Sequence, residues 1–98
     1  MKYIKVKWVH NYADEPVWLY SELDESREET RKVELYLNGK FGFAGTGEAH
    51  GKSQLSELSL PSNAQISSDP QFEVSDIDKI EFDNMWEKAK KAFEKEQN

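Results

Sequence analysis

The residues best suited to acid–base chemistry are His10 and the carboxylates that follow it, Asp14 and Glu15. An imidazole near carboxylates can act as a general base or bind a metal ion. The same spacing also fits a structural histidine that bonds its own loop, and we expect this second arrangement. A small hydrolase that uses His10 with Asp14 or Glu22 is the minor alternative.

No other catalytic or cofactor motif is present. The chain has no cysteine, and His50 lacks the H-x-x-x-H or H-x-E spacing of a zinc site. The glycines fit no phosphate-loop pattern, and no serine lies in G-x-S-x-G or S-x-x-K. We therefore expect a protein that is not an enzyme and that binds neither a metal nor a cofactor.

Charged pairs across predicted neighbouring strands are a further candidate site. Glu22 and Glu34 lie on facing strands, where two like charges would raise one pKa. Arg27 and Arg31 are the only arginines and lie four positions apart, so they can clamp an anion. Because the chain is acidic, we expect these cations to neutralise nearby carboxylates in an exposed charge ladder.

The net charge of the 98-residue chain is −6, with 13 Lys and Arg against 19 Asp and Glu. Residues 14–34 hold eight acids and three bases, and residues 69–83 hold six acids and Lys79, so each block has a charge of −5. Negative charge argues against nucleic acid as the main partner. The chain has no run of about 18 apolar residues, so the sequence predicts no membrane span. Lysines at positions 2, 5 and 7 interrupt any signal-peptide core, so we expect a cytoplasmic protein.

Four segments have the alternation of apolar and polar residues that is typical of half-buried strands. They cover residues 2–10, 17–24, 31–37 and 41–44, and Asn38-Gly39 predicts a hairpin with a type I′ turn between the last two. Residues 54–60 predict a fifth, weaker strand after a flexible glycine-containing loop. Residues 61–68 predict one helical turn, and residues 72–77 predict a short extended piece.

The C-terminal segment predicts a helix over residues 79–95. Asp78 and Glu81 form an aspartate version of a capping box, and Ile77 and Phe82 have the spacing of a hydrophobic staple. An apolar stripe follows at Phe82, Met85, Trp86, Ala89 and Phe93. The predicted fold is therefore α+β: one domain over residues 1–98, with an antiparallel four- to five-stranded meander sheet and a C-terminal helix packed on one face.

Aromatic residues on the second predicted strand are candidates for a binding surface. Trp18 and Tyr20 alternate with Val17 and Leu19, so one of these two sets must face the core. If Val17 and Leu19 point inward, Trp18, Tyr20 and Tyr36 form an aromatic stripe on the open face, surrounded by charges as in many protein interfaces. Alternatively, both faces are partly covered and the rings belong to the core.

The N-terminal third carries a family resemblance. The strings Tyr3-Ile4-Lys5-Val6-Lys7-Trp8, Asp14-Glu15-Pro16-Val17 and Leu19-Tyr20-Ser21-Glu22-Leu23-Asp24 resemble a family of small bacterial proteins defined as a domain of unknown function. The likeness returns at Asp69-Pro70 and around Phe82 and Trp86, whereas Ser26 stands where the similar pattern has arginine. The resemblance implies no catalytic residue. In type, the chain is also similar to the immunity proteins of bacterial toxin systems, such as contact-dependent inhibition.

These features together predict an intracellular immunity protein that binds and neutralises a basic toxin domain, such as a nuclease. The residues predicted to contact this partner are Asp14, Glu15, Trp18, Tyr20, Glu22, Asp24, Glu25, Glu28, Glu29 and Tyr36. The alternative is a non-catalytic housekeeping binding module or subunit with an unrelated protein or small-ligand partner.

Overall fold

Six antiparallel strands form a single sheet in the order β5-β4-β3-β2-β1-β6. The computed structural model describes residues 1–97. The strands are β1 (Lys2–Trp8), β2 (Pro16–Leu23), β3 (Glu29–Tyr36), β4 (Phe41–Gly45), β5 (Glu48–His50) and β6 (Phe72–Ile77). A short helix, α1 (Asn63–Ser67), precedes β6, and a long helix, α2 (Lys79–Gln97), follows it.

The first four predicted strands are confirmed as a meander, but the hairpin between β3 and β4 has a different turn. The Gly39 N–H donates to the Tyr36 carbonyl over 2.9 Å, so Leu37 and Asn38 occupy the centre of the turn. Gly39 alone has a positive φ there, of 85°. A standard turn followed by a left-handed glycine therefore replaces the predicted type I′ turn.

The fifth strand lies outside the predicted segment. A tight turn after β4 brings Glu48–His50 onto its free edge, so this edge of β4 is already occupied before residues 54–60. Residues 51–62, called the strap below, form neither helix nor strand. The predicted helical turn is confirmed as α1, which Ser62 and Gln65 begin with a capping box. The predicted extended piece is confirmed as β6, which pairs with β1 and gives the sheet six strands.

The first face of the sheet contacts α2. The Asp78 carboxylate accepts the Glu81 N–H over 2.8 Å and begins this helix. One buried cluster joins Phe82 and Ala89 of α2 to four sheet residues, which are Tyr3, Tyr20, Val33 and Phe43. Phe82 is completely buried, so the apolar stripe of α2 supplies much of this core.

The second face of the sheet has a smaller core of its own. Ile4, Val6 and Leu23 are buried there, and Leu60 of the strap and Ile66 of α1 pack against them. Both faces are therefore covered in part, as in the second of the two arrangements considered from the sequence. Among residues 1–97, no helix has the length and apolar character needed to cross a membrane.

Candidate functional site

Both ring nitrogens of His10 bond the backbone of its own loop. Nδ1 accepts the Tyr12 N–H over 2.9 Å, and Nε2 lies 2.8 Å from the Pro16 carbonyl oxygen. Because Nδ1 accepts, the proton is on Nε2, which donates to Pro16. Glu22 pairs with Tyr3 at the far end of β2, so the structure does not bring His10 and Glu22 into one site.

The predicted aromatic stripe on an open face is wrong. Tyr20 is only 8% exposed and lies in the cluster with Phe82, and Trp18 packs against that cluster. This burial raises the pKa of the Tyr20 phenol. The reason is that α2 contacts the Trp18 side of β2, whereas Val17 and Leu19 alternate to the other side. Tyr36 is half-buried, and burial raises the pKa of its phenol, with further contributions from the charges of Glu34, Glu15 and Asp14.

Glu22 is a buried member of an ion-pair network, so little of its carboxylate is available to a partner. Its carboxylate accepts two hydrogen bonds from Arg31, over 2.6 and 3.0 Å, and one from Thr30 over 2.8 Å. These bonds, above all those from Arg31, lower the pKa of Glu22. Arg31 also reaches Asp83 of α2 at 2.9 Å, and its guanidinium lies over the Phe82 and Trp86 rings. The network fastens α2 to the sheet.

Glu29 is buried as well, and its role is to hold the strap. It is 7% exposed and accepts hydrogen bonds from the Ser21 hydroxyl over 2.7 Å and from the Ser56 N–H over 2.9 Å. Lys32 lies 3.4 Å from the same carboxylate and donates to the Gln54 carbonyl over 3.1 Å. The carboxylate of Glu29 is thus used inside the molecule, which leaves little of it available to a partner.

The remaining predicted carboxylates divide between the two ends of the sheet. Asp14 and Glu15 precede β2 and are exposed, whereas the other three follow it in the turn before β3. The eight residues of β2 separate the two groups by about 25 Å. The structure therefore does not place all the exposed acids on one surface.

The turn after β2 forms the core of an acidic surface. Glu25 and Glu28 are exposed, and Asp24 accepts the N–H groups of Ser26 and Glu28, each over 2.9 Å. Arg27, with a φ of 60°, completes the turn. Asp24 therefore fixes the loop from which the two glutamates extend.

A chain of hydrogen bonds brings the second acidic block to the same surface. Arg27 donates to Asn63 over 3.1 Å, and Asn63 donates to Asp76 of β6 over 2.8 Å. We call this surface the acidic patch; its members are Asp24, Glu25, Glu28 and Asp76. The two acidic blocks are far apart in the sequence. The packing of α1 against β6 brings Asp76 of the second block close to the turn of the first.

Trp8, His10 and Tyr12 form an aromatic cluster at the opposite end of the sheet, which was not predicted from the sequence. The ring centroids of Trp8 and His10 are 4.2 Å apart, and those of His10 and Tyr12 are 5.3 Å apart. Tyr12 remains 56% exposed, and the exposed acids Asp14 and Glu15 follow it. The sequence signal is the pattern W-x-H-x-Y, of which Trp8 and His10 belong to the first predicted strand and Tyr12 to the connection after it.

A groove of about 250 Å³ lies on the second face beneath the strap. Its walls are mainly apolar, with Val6, Leu19 and Phe72 from the sheet. Leu60 and Ile66 lie on the opposite side, and Glu29 and Lys32 supply its charged groups. Mainly apolar pockets with a few convergent polar groups are typical of small-molecule sites. Among residues 1–97, no three His, Asp or Glu side chains are grouped to hold a metal ion.

A protein-family model described as Domain of unknown function (DUF6881) matches residues 2–91. The chain belongs to this family. The match confirms the resemblance predicted from the strings of β1 and β2. It spans all six strands of the DUF6881 fold as well as the acidic patch. No curated protein and no solved structure matches the chain.

The strap depends on a close approach at Gly42. A side chain at this position would meet the hydroxyl of Ser53, which bonds Glu34 of β3. We expect Gly42→Ala to lower the free energy of unfolding by about 1–3 kcal/mol, because Ser53 must turn away. Urea denaturation measures this loss.

The control for this prediction is the double variant Gly42→Ala with Ser53→Gly. It should be no less stable than Ser53→Gly alone, because the clash is then absent. Additive losses would show that Ser53 is not the group that makes Gly42 necessary.

Proposed function

We propose that this DUF6881 protein is an immunity protein that acts in the cytoplasm, where it binds and neutralises a basic toxin domain, such as a nuclease domain. The observation that carries the proposal is that Asp76 of the second acidic block is linked through Asn63 and Arg27 to the turn that holds Asp24, Glu25 and Glu28. Acidic side chains concentrated on one surface increase the rate at which a basic partner associates and suppress other partners. Occupying the cationic substrate groove of a nuclease would block its reaction.

The Trp8, His10 and Tyr12 cluster supports the same class of function. Exposed aromatic rings next to carboxylates are frequent at the centres of protein interfaces. Because this cluster and the acidic patch lie at opposite ends of β1, a partner that contacts both must extend along the sheet. Trp18 is half-buried on the α2 side of the sheet, opposite the face of Trp8, and is not part of this surface. Tyr36 is half-buried as well.

The groove beneath the strap favours the second candidate, a housekeeping module that binds a small apolar ligand. Its volume of about 250 Å³ is near the lower limit of small-molecule pockets. A ligand there would contact Leu19 and Phe72, not the acidic patch. Substitutions in the patch therefore discriminate between the two functions.

The test of the proposed function is charge reversal in the acidic patch. We expect Glu25→Lys with Glu28→Lys to reduce the association rate with the toxin domain encoded beside the gene by tenfold or more at low salt. Stopped-flow fluorescence measures this rate, and growth of cells that co-express the toxin domain measures protection.

The matched control is Glu87→Lys with Glu94→Lys, which makes the same change in net charge on exposed positions of α2. The control should retain most of the association rate. Equal losses in both variants would mean that only net charge matters. An unchanged rate in the patch variant would contradict the proposed mechanism.

A further inference from the structure

Strand β6 leaves one edge of the sheet unpaired. Its register with β1 continues without a bulge from Tyr3↔Ile77 to Trp8↔Phe72. The Val9 N–H donates to the Gln71 carbonyl over 2.7 Å, so Val9 and Gln71 form a hydrogen-bonded pair. Along an antiparallel strand such pairs alternate with pairs that are not hydrogen-bonded. The backbone groups of residues 73, 75 and 77 therefore face β1, whereas those of Val74 and Asp76 face outward.

The outward groups of β6 are available to another strand. Within residues 1–97, no strand pairs with this edge, and no hydrogen bond engages the N–H of Val74 or Asp76. Natural edges are commonly protected by a proline, a bulge or a charged side chain. Between Phe72 and Ile77 there is no proline and no bulge, so this edge is protected by charge and by α1, which packs against β6 and bonds Asp76 through Asn63.

The opposite edge of the sheet is much less suitable for pairing. Strand β5 has only three residues. Two side chains of α2 reach across to it: Lys90 pairs with Glu48 at 2.6 Å, and Glu96 lies 2.9 Å from His50. A strand addition would therefore use β6.

The charge on β6 determines which partner it accepts. Glu73 and Asp76 are both exposed, and Asp76 also belongs to the acidic patch. A second copy of this chain would bring like charges close together across the new pair, which is destabilising. A strand that carries lysine or arginine would instead place cations beside these carboxylates.

We infer that the free edge of β6 binds an extended basic segment of the partner, which adds a seventh strand to the sheet. Backbone hydrogen bonds to Val74 and Asp76 would give the affinity, and the carboxylates beside them would select a basic sequence. This inference rests on the proposed function and assigns the contact surface of the partner. It also explains why the acidic patch is continuous with a strand edge.

The test compares Val74→Pro with Val74→Ala. Proline removes the outward N–H without removing a hydrogen bond to β1, whereas alanine keeps the N–H. Both lose the packing of Val74 against the second-face core. The probe is a ten-residue peptide that alternates lysine with valine, measured by calorimetry at low salt against a peptide with glutamate for lysine.

We expect the lysine peptide to bind the wild type and Val74→Ala, and to bind Val74→Pro up to about tenfold more weakly, as the loss of one backbone hydrogen bond implies. Bound peptide should also slow hydrogen exchange at the Val74 and Asp76 amides. Any of four results would overturn the inference: the lysine peptide does not bind, it binds the two variants equally, the glutamate peptide binds as well as the lysine peptide, or β6 pairs with a second copy of the chain.

The same variants separate this inference from the proposed function. If Val74→Pro binds the toxin domain as well as Val74→Ala does, while the Glu25 and Glu28 reversal weakens binding, the edge is not the contact and the proposed function stands. If the toxin domain binds none of these proteins, the proposed function fails, and the peptide still tests the edge.

Discussion

Replacement of Phe82 with alanine is expected to lower the free energy of unfolding by about 3–5 kcal/mol. Phe82 is completely buried between α2 and the sheet, and its ring centroid lies 5.4 Å from that of Tyr3. Alanine would leave a cavity at the centre of the larger core. A domain of this size has a total stability of about 5–15 kcal/mol, so the variant would unfold at much lower urea concentrations.

The matched control for Phe82→Ala is Ile80→Ala in the same helix. Ile80 is 71% exposed, so its truncation should change the stability by no more than about 0.5 kcal/mol. Urea denaturation followed by tryptophan fluorescence measures both variants. Similar losses at the two positions would show that α2 does not contribute its Phe82 face to the core.

Replacement of Arg31 with alanine is expected to cost about 3 kcal/mol at neutral pH. This value is the lower end of the range for breaking a buried ion pair. We use the lower end because the Arg31 side chain is 24% exposed, so the pair is not fully buried. The variant leaves the carboxylate of Glu22 buried without its main partner. It also removes the guanidinium that lies 4.8 Å from the Phe82 ring centroid.

The cost of Arg31→Ala should depend on pH in a defined direction. In the wild type, Arg31 lowers the pKa of Glu22 from its usual 4.5, so the ion pair contributes its full stability above that pH. This contribution is lost as the pH falls through the lowered pKa, because the carboxyl becomes protonated in the folded state. We therefore expect the difference between wild type and variant to shrink below about pH 4.5.

Two further variants make this prediction specific to the pair. Glu22→Gln should remove much of the pH-dependent difference, and combining it with Arg31→Ala should cost less than the sum of the single losses. Arg31→Lys keeps a positive charge but not the two-pronged bond, and should lie between wild type and alanine. A difference that is independent of pH would assign the stability to packing on Phe82 instead.

The elements with local signals were predictable from the sequence. Alternation marks β1 to β4, and Asp78 with Glu81 marks the start of α2, because these signals need only neighbouring residues. The location of β5 was not predictable in the same way. It depends on which segment reaches the free edge of β4, and the turn at Gly47 brings Glu48–His50 there before residues 54–60.

The candidate site was less predictable than the fold. Both sets of alternating residues in β2 are largely apolar, so alternation cannot decide whether Tyr20 or Leu19 lies beneath the helix. Glu22 and Glu29 were expected at the surface because charged residues usually are. Their burial depends on partners distant in space, namely Arg31 with the rings of α2 for Glu22, and the Ser56 N–H of the strap for Glu29.

Strand β1 has two neighbours that become available at very different stages of synthesis. Its pairing with β2 joins Lys7 to Trp18, whereas its pairing with β6 joins Trp8 to Phe72. The meander of β1 to β4 can therefore form before β6 and α2 dock, because its contacts close shorter loops. Until then the nascent chain exposes the edge of β1 and the uncovered first face. An exposed strand edge and an exposed apolar face make such an intermediate prone to aggregation.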